Sequence, residues 1–258
     1  MENKTIQQAF SLDGKVCVLT GSEGFLGKHY KEAVQQAGGI LIGLDNKGEP
    51  DFTVDITDEK AVQEMVEKIL EKHGRIDVLI NNAAMNPAVG DKNSAKMFAA
   101  IDDYPVELWA KELEVNLTGM FICSKAVVPA MKKQAAGGVI VNIASEVSEI
   151  AHDHRVYNTL DKYKSPAYVA SKTGVVGLTR ALAAQLGQYN IRVNALSPGG
   201  VENPAMPKDF VERFGSTNML SRMAQPDEYN GAIIFLCSDA SSFMTGHNLV
   251  IDGGKSAW

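Results

Sequence analysis

The chain has 258 residues, 45% of them hydrophobic, and a formal net charge of −6. This length allows one domain with a substantial core, and the acidic balance leaves no basic footprint for nucleic acid or an anionic membrane. No apolar run is long enough to cross a bilayer, and the first residues lack the apolar core of a signal peptide. We therefore expect a cytoplasmic protein with neither a nucleic-acid nor a membrane partner.

Short β-branched runs alternate with helical patterns along the whole chain. Continuous apolar strands are predicted at 15–19, 40–44, 77–80, 138–143, 191–196 and 248–251, and helices at about 25–37, 58–72, 105–132, 168–187 and 226–237. Asp58 is expected to be an N-cap and Pro226 a first-turn proline. The alternation predicts a doubly wound α/β (Rossmann) fold, mostly parallel, with helices on both faces and ligands at the carboxyl ends of the strands. No linker composition interrupts it, so we expect one domain spanning residues 1–258.

The cysteines occur at positions that favour packed thiols over a metal site. Cys17, Cys123 and Cys237 are odd in number and none stands in a C-x-x-C pair. Reduced, buried thiols in a reducing compartment are the simplest interpretation. We expect no bound metal.

A glycine-rich turn follows the first predicted strand and opens the first long predicted helix. In T-G-S-E-G-F-L-G (20–27), Gly21, Gly24 and Gly27 permit a tight turn, close backbone approach and close packing of helix on sheet. Exposed N–H groups and the helix dipole favour a pyrophosphate there. Glycines kept for turn geometry alone are the plain alternative.

An acidic residue ends the second predicted strand. A carboxylate at Asp45 can accept hydrogen bonds from the hydroxyls of an adenosine ribose and repels a 2′-phosphate. Lys47 lies nearby in the sequence and weakly favours NADP, because its ammonium group can contact a 2′-phosphate. An aspartate that only caps the loop is the alternative interpretation of Asp45. Because Ser22 and Glu23 supply no second basic contact in the glycine turn, NAD is favoured over NADP.

The spacing Y-x-x-x-K places Tyr168 and Lys172 one helical turn apart, on the same face. A neighbouring cation favours a phenolate, so we expect the pKa of Tyr168 to fall into a range useful for exchanging a proton with an alcohol or ketone. Ser145 ends the strand V-I-V-N-I and can bind the same substrate oxygen. The spacing alone is common on solvated helix faces, but coincidence with the glycine turn, N-N-A-A (81–84), E-V-N-L (114–117) and S-P-G-G (197–200) is improbable.

Together these motifs resemble the single-domain short-chain dehydrogenase/reductase family over about residues 12–255. The resemblance implies a seven-stranded sheet, a homo-oligomer (a dimer or a homotetramer), and an oxidoreductase that moves a hydride between NAD(H) and a secondary alcohol or ketone. It also implies that Tyr168 is the general acid/base, that Ser145 orients the carbonyl, that Lys172 lowers the pKa of Tyr168 and binds the nicotinamide ribose, and that Asn116 holds a relay water. The implied cofactor contacts are Gly21, Gly24, Phe25, Leu26, Gly27, Asp45, Asp55, Ile56, Asn82, Ala83, Ala84, Val115, Tyr168, Lys172, Pro198, Gly199, Val201 and Asn203.

Two positions depart from the usual pattern of this family. The glycine turn reads T-G-x-x-G-x-x-G, because Phe25 stands where the middle glycine would be, and Asn203 replaces a threonine that often follows P-G. The first change resembles the longer, sugar-nucleotide-modifying branch. The second puts one contact to the cofactor carboxamide in question.

More residues than usual separate Ser145 from Tyr168. We expect the polar insert 149–164 to cover the substrate mouth, within loops at about 86–104, 146–164 and 200–220; ordinary surface loops are the alternative. Contiguous H-D-H residues in an extended loop cannot all face one metal ion. The candidate substrate-binding residues are Ser145, Glu146, His152, Arg155, Tyr157 and Tyr168.

The polar insert favours a carbohydrate-type substrate such as a keto sugar, a sugar acid or a sugar nucleotide. The insert and the terminal D-G-G-x-x-x-W also resemble reductases associated with bacterial surface or flagellin sugar biosynthesis. One rival is a 3-oxoacyl thioester reductase, against which Asp45 and the acidic balance both count. A rival of another class is an NAD-binding sensor without turnover.

Overall fold

The computed structural model describes residues 4–86, 96–157 and 162–258. In these ranges, seven strands form one sheet in the order β3-β2-β1-β4-β5-β6-β7, and every neighbouring pair is parallel. They are β1 (Val16–Thr20), β2 (Ile40–Asp45), β3 (Phe52–Thr53), β4 (Val78–Asn81), β5 (Gly138–Ile143), β6 (Ile191–Pro198) and β7 (Asn248–Ile251). The predicted fold class is therefore confirmed. The strand order reverses between β1 and β4, which opens a crevice at their carboxyl ends.

The helices agree with the sequence pattern except in three places. They are α1 (Ile6–Phe10), α2 (Phe25–Gln36), α3 (Glu59–His73), α4 (Val106–Leu113), α5 (Gly119–Lys133), α6 (Pro166–Leu186), α7 (Lys208–Gly215) and α8 (Asn230–Cys237). The helix predicted at 105–132 is divided by a π-helical turn, Glu114–Thr118. The helices α1 and α7 were not predicted: α1 has five residues, too few to show a helical period, whereas α7 is amphipathic over its eight residues and was missed.

The continuous apolar strands are explained by a core on each face of the sheet. In β1, Val16 and Val18 pack into one cluster with residues of α3 and α5, whereas Cys17 and Leu19 pack into the other with residues of α2 and α8. Successive side chains of a strand point to opposite faces, so both sets must be apolar when both faces are covered. All three cysteines are free and buried, as expected.

The predicted helix boundaries rest on identifiable contacts. Asp58 caps α3, its Oδ1 accepting a hydrogen bond from the Ala61 N–H at 3.0 Å. Gly74 ends the same helix in the left-handed conformation, with φ of 72°. Pro226 begins a 3-10 turn that leads into α8. In the part of the chain that the structure describes, no helix is both long and apolar enough to span a bilayer.

Candidate active site

A cavity of about 680 Å³ lies at the carboxyl ends of the strands and extends from the glycine turn to an aromatic cluster beside α7. Ser145, Tyr168 and Lys172 line its middle. The sequence-predicted cofactor residues line it as well, apart from Gly27. The predicted residues thus converge on one cleft, whereas the roles assigned to them stay predictions.

Two glycines of the turn are required by close backbone contacts. Gly21 has φ of +67°, and a Cβ there would lie 2.8 Å from Ala83 Cα. At Gly27, a Cβ would lie 2.0 Å from the Gly21 carbonyl oxygen, so this glycine lets α2 approach the turn without lining the cleft. The N–H groups of Asn82 and Ala83 both donate to Thr20 Oγ1 at 3.0 Å, which joins the ends of β1 and β4.

The first turn of α2 fits a pyrophosphate. Its N-cap is Gly24, and no side chain caps the helix. The orphan N–H groups of that turn, together with the helix dipole, therefore face a cleft lined by Gly24, Phe25 and Leu26. A dinucleotide whose phosphates lie here would place its other end toward Tyr168 and Lys172.

Asp45 both caps a loop and lines the end of the cleft next to the glycine turn. Its Oδ2 accepts the Glu23 N–H at 3.0 Å and its Oδ1 accepts the Asn46 N–H at 2.8 Å. The loop-capping alternative is thus part of its role, and lone pairs remain for a ribose hydroxyl. Lys47 lines the same part of the cleft, so geometry leaves the choice between NAD and NADP open.

Burial raises the pKa of Tyr168 to about 12, although a hydrogen bond from Ser145 lowers it; the carboxylates of Glu146 and Glu112 act in the same direction as burial. The expectation that Lys172 brings the pKa of Tyr168 down therefore does not hold for the protein alone. Burial also lowers the pKa of Lys172 to about 7, which weakens it as a permanent cation.

The ammonium group of Lys172 hydrogen-bonds a backbone carbonyl oxygen and also lies near the Tyr168 ring. Its Nζ donates to the Ile143 carbonyl oxygen at 2.7 Å and lies 5.7 Å from the centroid of the Tyr168 ring. The i,i+4 spacing thus brings the two groups together as predicted.

Asn116 lies in the π-helical turn, next to the cleft but not in its lining. Its Oδ1 accepts the Met85 N–H at 2.7 Å, and its Nδ2 donates to the Met85 carbonyl oxygen at 3.0 Å and to Ser171 Oγ at 3.2 Å. It therefore ties the strand-end loop after β4 to α6. These contacts do not test whether Asn116 also holds a relay water, and that role stays a prediction.

A buried polar network supports the first turn of α6. Ser165 Oγ, the N-cap, accepts the Tyr168 N–H at 3.1 Å and donates to the carboxylate of Glu112 at 2.9 Å. The hydroxyl of Tyr104 hydrogen-bonds Glu112 and lies 2.7 Å from Ser165 Oγ. Glu112 is fully buried, and burial raises its pKa. Sequence reasoning missed this network because its members are far apart in the chain.

The substrate half contains a buried ion pair. Lys255 Nζ donates to Glu146 Oε1 at 2.9 Å, and each side chain is 5% exposed. The other oxygen, Oε2, has no hydrogen-bond partner in the described residues. The pKa of Glu146 is raised by burial, although Lys255 opposes the shift. Glu146 thus lines the cavity as predicted, with one oxygen unpaired.

The insert that follows Ser145 contributes polar side chains to the cavity, namely His152, Tyr157 and Lys164, and also packs aromatic and apolar groups against α7. Val156 and Tyr157 are buried, and the Tyr157 ring stacks on Phe210 of α7 at 5.6 Å. His152 Nε2 is hydrogen-bonded to the Tyr157 hydroxyl at 2.9 Å, and burial lowers the pKa of His152 to about 3, so the ring is neutral. The substrate wall is therefore partly aromatic.

The prediction that Arg155 contacts substrate is corrected by its placement. Its side chain is 91% exposed and paired with Asp153 at 2.9 Å, outside the cavity lining. Asp153 holds the guanidinium toward solvent, and a charged group gains more from water there than from the aromatic wall.

Residues from each of the three predicted substrate loops do line the cavity. Residues 87–95 and 158–161 lie outside the described part of the chain. The lining residues that sequence reasoning did not single out include Asn86, Met97, Lys164, Gly200, Met206, Phe210, Phe214 and Met223. In the described residues no cluster of metal-binding side chains occurs.

A nucleotide-binding parallel sheet with a serine, tyrosine and lysine at its carboxyl edge defines a dinucleotide-dependent oxidoreductase. A family model described as "Enoyl-(Acyl carrier protein) reductase" matches residues 26–256. Relatives that match nearly the whole chain at 30% identity or more, among them one named a short chain dehydrogenase/reductase, show the family. The protein belongs to the short-chain dehydrogenase/reductase family.

The relatives differ in the substrates that their names record. The chain is 35% identical to a 3-oxoacyl-[acyl-carrier-protein] reductase of Thermotoga maritima, over 94% of this chain and 98% of that protein. It is 41% identical to trans-4-hydroxycyclohexanecarboxylate dehydrogenase of Sinomonas cyclohexanicum, over 79% of this chain and 70% of that protein. It is 32% identical to an NAD-dependent glycerol dehydrogenase of Listeria innocua, over 98% of each.

Solved structures superpose closely and hold either cofactor. A short-chain dehydrogenase of Leptospira borgpetersenii with bound NAD+ has a TM-score of 0.85 at 28% identity, covering 99% of this chain and 97% of that one. A gluconate 5-dehydrogenase of Burkholderia cenocepacia in complex with NADP and tartrate has a TM-score of 0.85 at 27% identity, covering 98% and 100%. This protein is therefore an NAD(P)-type oxidoreductase.

Proposed function

We propose that the enzyme transfers a hydride between NAD(H) and a secondary alcohol or ketone of a polar, carbohydrate-type substrate: a keto sugar, a sugar acid or a sugar nucleotide. The observation that carries the proposal is the convergence of Ser145, Tyr168 and Lys172 in one cavity with the glycine turn. The nicotinamide supplies the hydride chemistry when it is bound.

The side chains of this protein orient the substrate and move its proton. Ser145 donates a hydrogen bond to the reacting oxygen, which leaves Tyr168 to exchange a proton with the same atom. In oxidation, the alcohol would lose a hydride from carbon, which a bound nicotinamide would accept, and a proton from oxygen, which Tyr168 would accept. Lys172 would hold the nicotinamide ribose. Asp45 would hold the adenosine ribose.

Support for a polar substrate comes from the buried polar groups in the substrate half. Glu146 Oε2 and His152 Nδ1 both lack partners in the described residues, and each belongs to a residue that lines the cavity. Buried polar atoms are normally hydrogen-bonded, so hydroxyl groups of a substrate would satisfy them. The names of the glycerol and gluconate dehydrogenases fit this interpretation.

The 3-oxoacyl thioester reductase is a second candidate, favoured by one observation. Phe210, Phe214, Met206 and Met223 form an apolar wall that an acyl chain could contact. The name of the Thermotoga maritima relative agrees with this candidate. A panel of glycerol, threitol, gluconate, sugar nucleotides and acetoacetyl thioester, each with NAD(H) and NADP(H), separates the two. Our proposal would be rejected if the enzyme turned over the acetoacetyl thioester with NADPH and none of the other substrates.

The preference for NAD is tested at Asp45. We expect Asp45→Asn, which keeps one acceptor oxygen but removes the charge, to reduce the ratio of kcat/KM for NAD to that for NADP. Asp51→Asn is the matched control, since Asp51 also accepts a backbone N–H, from Gly43 at 2.7 Å, but does not line the cleft. A wild-type preference for NADP would contradict the proposed role of Asp45.

We further propose that the protein is a cytoplasmic homo-oligomer, a dimer or a tetramer. Large apolar side chains are exposed on α4 and α5, namely Val106, Trp109 and Phe121. Large apolar side chains left exposed in this way favour association. Light scattering of the wild type and of Phe121→Glu tests it, and a monomeric wild type would reject it.

A further inference from the structure

The loop that leads into α6 places a lysine beside the candidate acid/base. Lys164 precedes the N-cap, lines the cavity, and has its Nζ 4.1 Å from the centroid of the Tyr168 ring. Its Nζ donates to Asn86 Oδ1 at 2.7 Å, and its backbone N–H donates to His154 Nδ1 at 3.3 Å. The ammonium group is therefore held next to the phenol, on the side of the cleft that leads to the substrate loops.

Lys164 differs from the two other lysines of this region in that its Nζ donates to a side-chain amide oxygen, that of Asn86, at 2.7 Å. Lys255 is paired with Glu146, and Lys172 donates to the Ile143 carbonyl oxygen. Among residues 4–86, 96–157 and 162–258, no carboxylate oxygen lies within 4.0 Å of Lys164 Nζ, and Lys164 takes part in none of the ion pairs there. In the described residues the partner of Lys164 Nζ is thus a neutral amide oxygen, and its remaining N–H groups can donate to an anionic ligand.

The electrostatic surroundings keep this cation charged at neutral pH. Burial lowers the pKa of Lys164 to about 8, while the carboxylates of Glu112 and Glu146 raise it. A partly desolvated ammonium group without a counter-ion is costly, and an anionic ligand would offset that cost. Because Glu146 is neutralised by Lys255, it repels such a ligand less than an isolated carboxylate would.

The remaining groups of the substrate half suit a small organic acid or phosphate ester. His152 is neutral and its Nδ1 lacks a partner in the described residues, so it can hydrogen-bond a hydroxyl. Met97, Met206 and Phe210 also line the cavity and can contact carbon atoms.

We propose that Lys164 binds an anionic group of the substrate, so that the enzyme acts on acidic secondary alcohols, or the corresponding ketones, that carry a carboxylate or a phosphate. This inference rests on the proposed function and narrows its substrate class. Because the ammonium group lies against the Tyr168 ring, an anion bound to Lys164 places a carbinol carbon a few atoms away within reach of Ser145 and Tyr168.

Matched pairs of acidic and neutral alcohols test the proposal with the complete enzyme. The panel is gluconate, glucitol 6-phosphate and 4-hydroxycyclohexanecarboxylate against glucitol and 4-methylcyclohexanol, assayed as NAD reduction. We expect the wild type to prefer at least one acid to its neutral counterpart. In Lys164→Met we expect that preference in kcat/KM to fall by about 10- to 100-fold, the effect of one lost hydrogen bond between charged groups. The two classes of acid distinguish carboxylate from phosphate.

Two further variants separate a loss of charge from a loss of structure. Lys164→Arg keeps the cation and should retain most of the preference. Lys162→Met removes an exposed lysine of the same loop, outside the cavity lining, and should change nothing. An equal preference for acids in wild type and Lys164→Met, or wild-type turnover of the neutral alcohols as efficient as that of the acids, would overturn the proposal.

A binding measurement tests the anion site at Lys164 even if no alcohol in the panel is oxidised. In that case the proposed function is rejected, and the anion site is judged by binding alone. Calorimetry with gluconate and with glucitol 6-phosphate, in the presence of NADH, should show binding to wild type and at least tenfold weaker binding to Lys164→Met. Binding of NADH itself should be unchanged. If neither acid binds the wild type, or if both bind the variant equally well, Lys164 is not an anion site.

Discussion

The buried N-cap of the helix that carries Tyr168 should contribute more to stability than an exposed cap. Ser165→Ala removes the acceptor of the Tyr168 N–H, a cap that contributes about 1 kcal/mol in general. It also removes the hydrogen bond to the Glu112 carboxylate, at 2.9 Å, and bonds of this charge-assisted kind contribute about 1.5–3 kcal/mol. We therefore expect Ser165→Ala to lower the free energy of unfolding by about 2–4 kcal/mol.

The matched control is Asp58→Ala, which removes the exposed N-cap of α3 and should cost about 1 kcal/mol. Urea denaturation of the wild type and both variants gives the comparison, with unchanged m-values as a check on the two-state assumption. If Ser165→Ala is no more destabilising than Asp58→Ala, the network around Glu112 does not stabilise the helix and the reasoning is refuted.

Three other changes follow from the same geometry. Burial lowers the pKa of Lys172 to about 7, so above this pH the unfolded chain binds more protons than the folded protein, and the free energy of unfolding should rise with pH. Lys172→Met should reduce that slope by up to about 1.4 kcal/mol per pH unit, which urea denaturation at several pH values from 7 to 10 measures. Gly21→Ala, with φ of +67°, should weaken NADH binding at least tenfold by fluorescence titration, whereas Gly177→Ala, where a Cβ meets open space, should not. Lys255→Met leaves Glu146 buried without its partner and should lower the free energy of unfolding, measured by thermal unfolding, by about 3–5 kcal/mol. Adding Glu146→Gln to that variant should partly restore the stability, and a double variant no more stable than Lys255→Met would contradict this explanation.

The sheet was predictable because its signals are local. Each strand is a short apolar run between helical patterns. Two of the six predicted strands, 138–143 and 248–251, have the observed bounds, and the other four differ from the observed ones by no more than two residues at either end. The two-residue strand β3 and the five-residue helix α1 give too few residues for a period to appear.

The reacting groups were predictable for the same reason, whereas their surroundings were not. The spacing of Tyr168 and Lys172 predicts proximity on a helix, but the pKa of each depends on burial by residues from other elements. The support for Tyr168 by Glu112 is likewise a contact across more than fifty positions of sequence, since Ser165 and Glu112 are separated by 53 residues. No pattern within one segment indicates such a contact.

The composition of the insert predicted only part of the surface that it forms, since His152 and Lys164 line the cavity whereas Arg155 does not. Its histidines, aspartate and arginine predicted a polar cover over the substrate. In the structure Tyr157 is buried beside Phe210, and Arg155 is exposed with Asp153 as its partner. Which side chains face inward depends on the packing of the insert against α7, a helix that the sequence pattern did not predict.

The most direct test of the account is the activity of Tyr168→Phe on whichever alcohol or ketone the wild type turns over. This change removes the phenolic hydroxyl and keeps the ring that contacts Lys164. We expect kcat to fall by about 10²- to 10⁴-fold, the contribution of a positioned acid or base, while the dissociation constant for NADH stays within about twofold. A variant that retains more than a tenth of the wild-type kcat would contradict the central role of Tyr168.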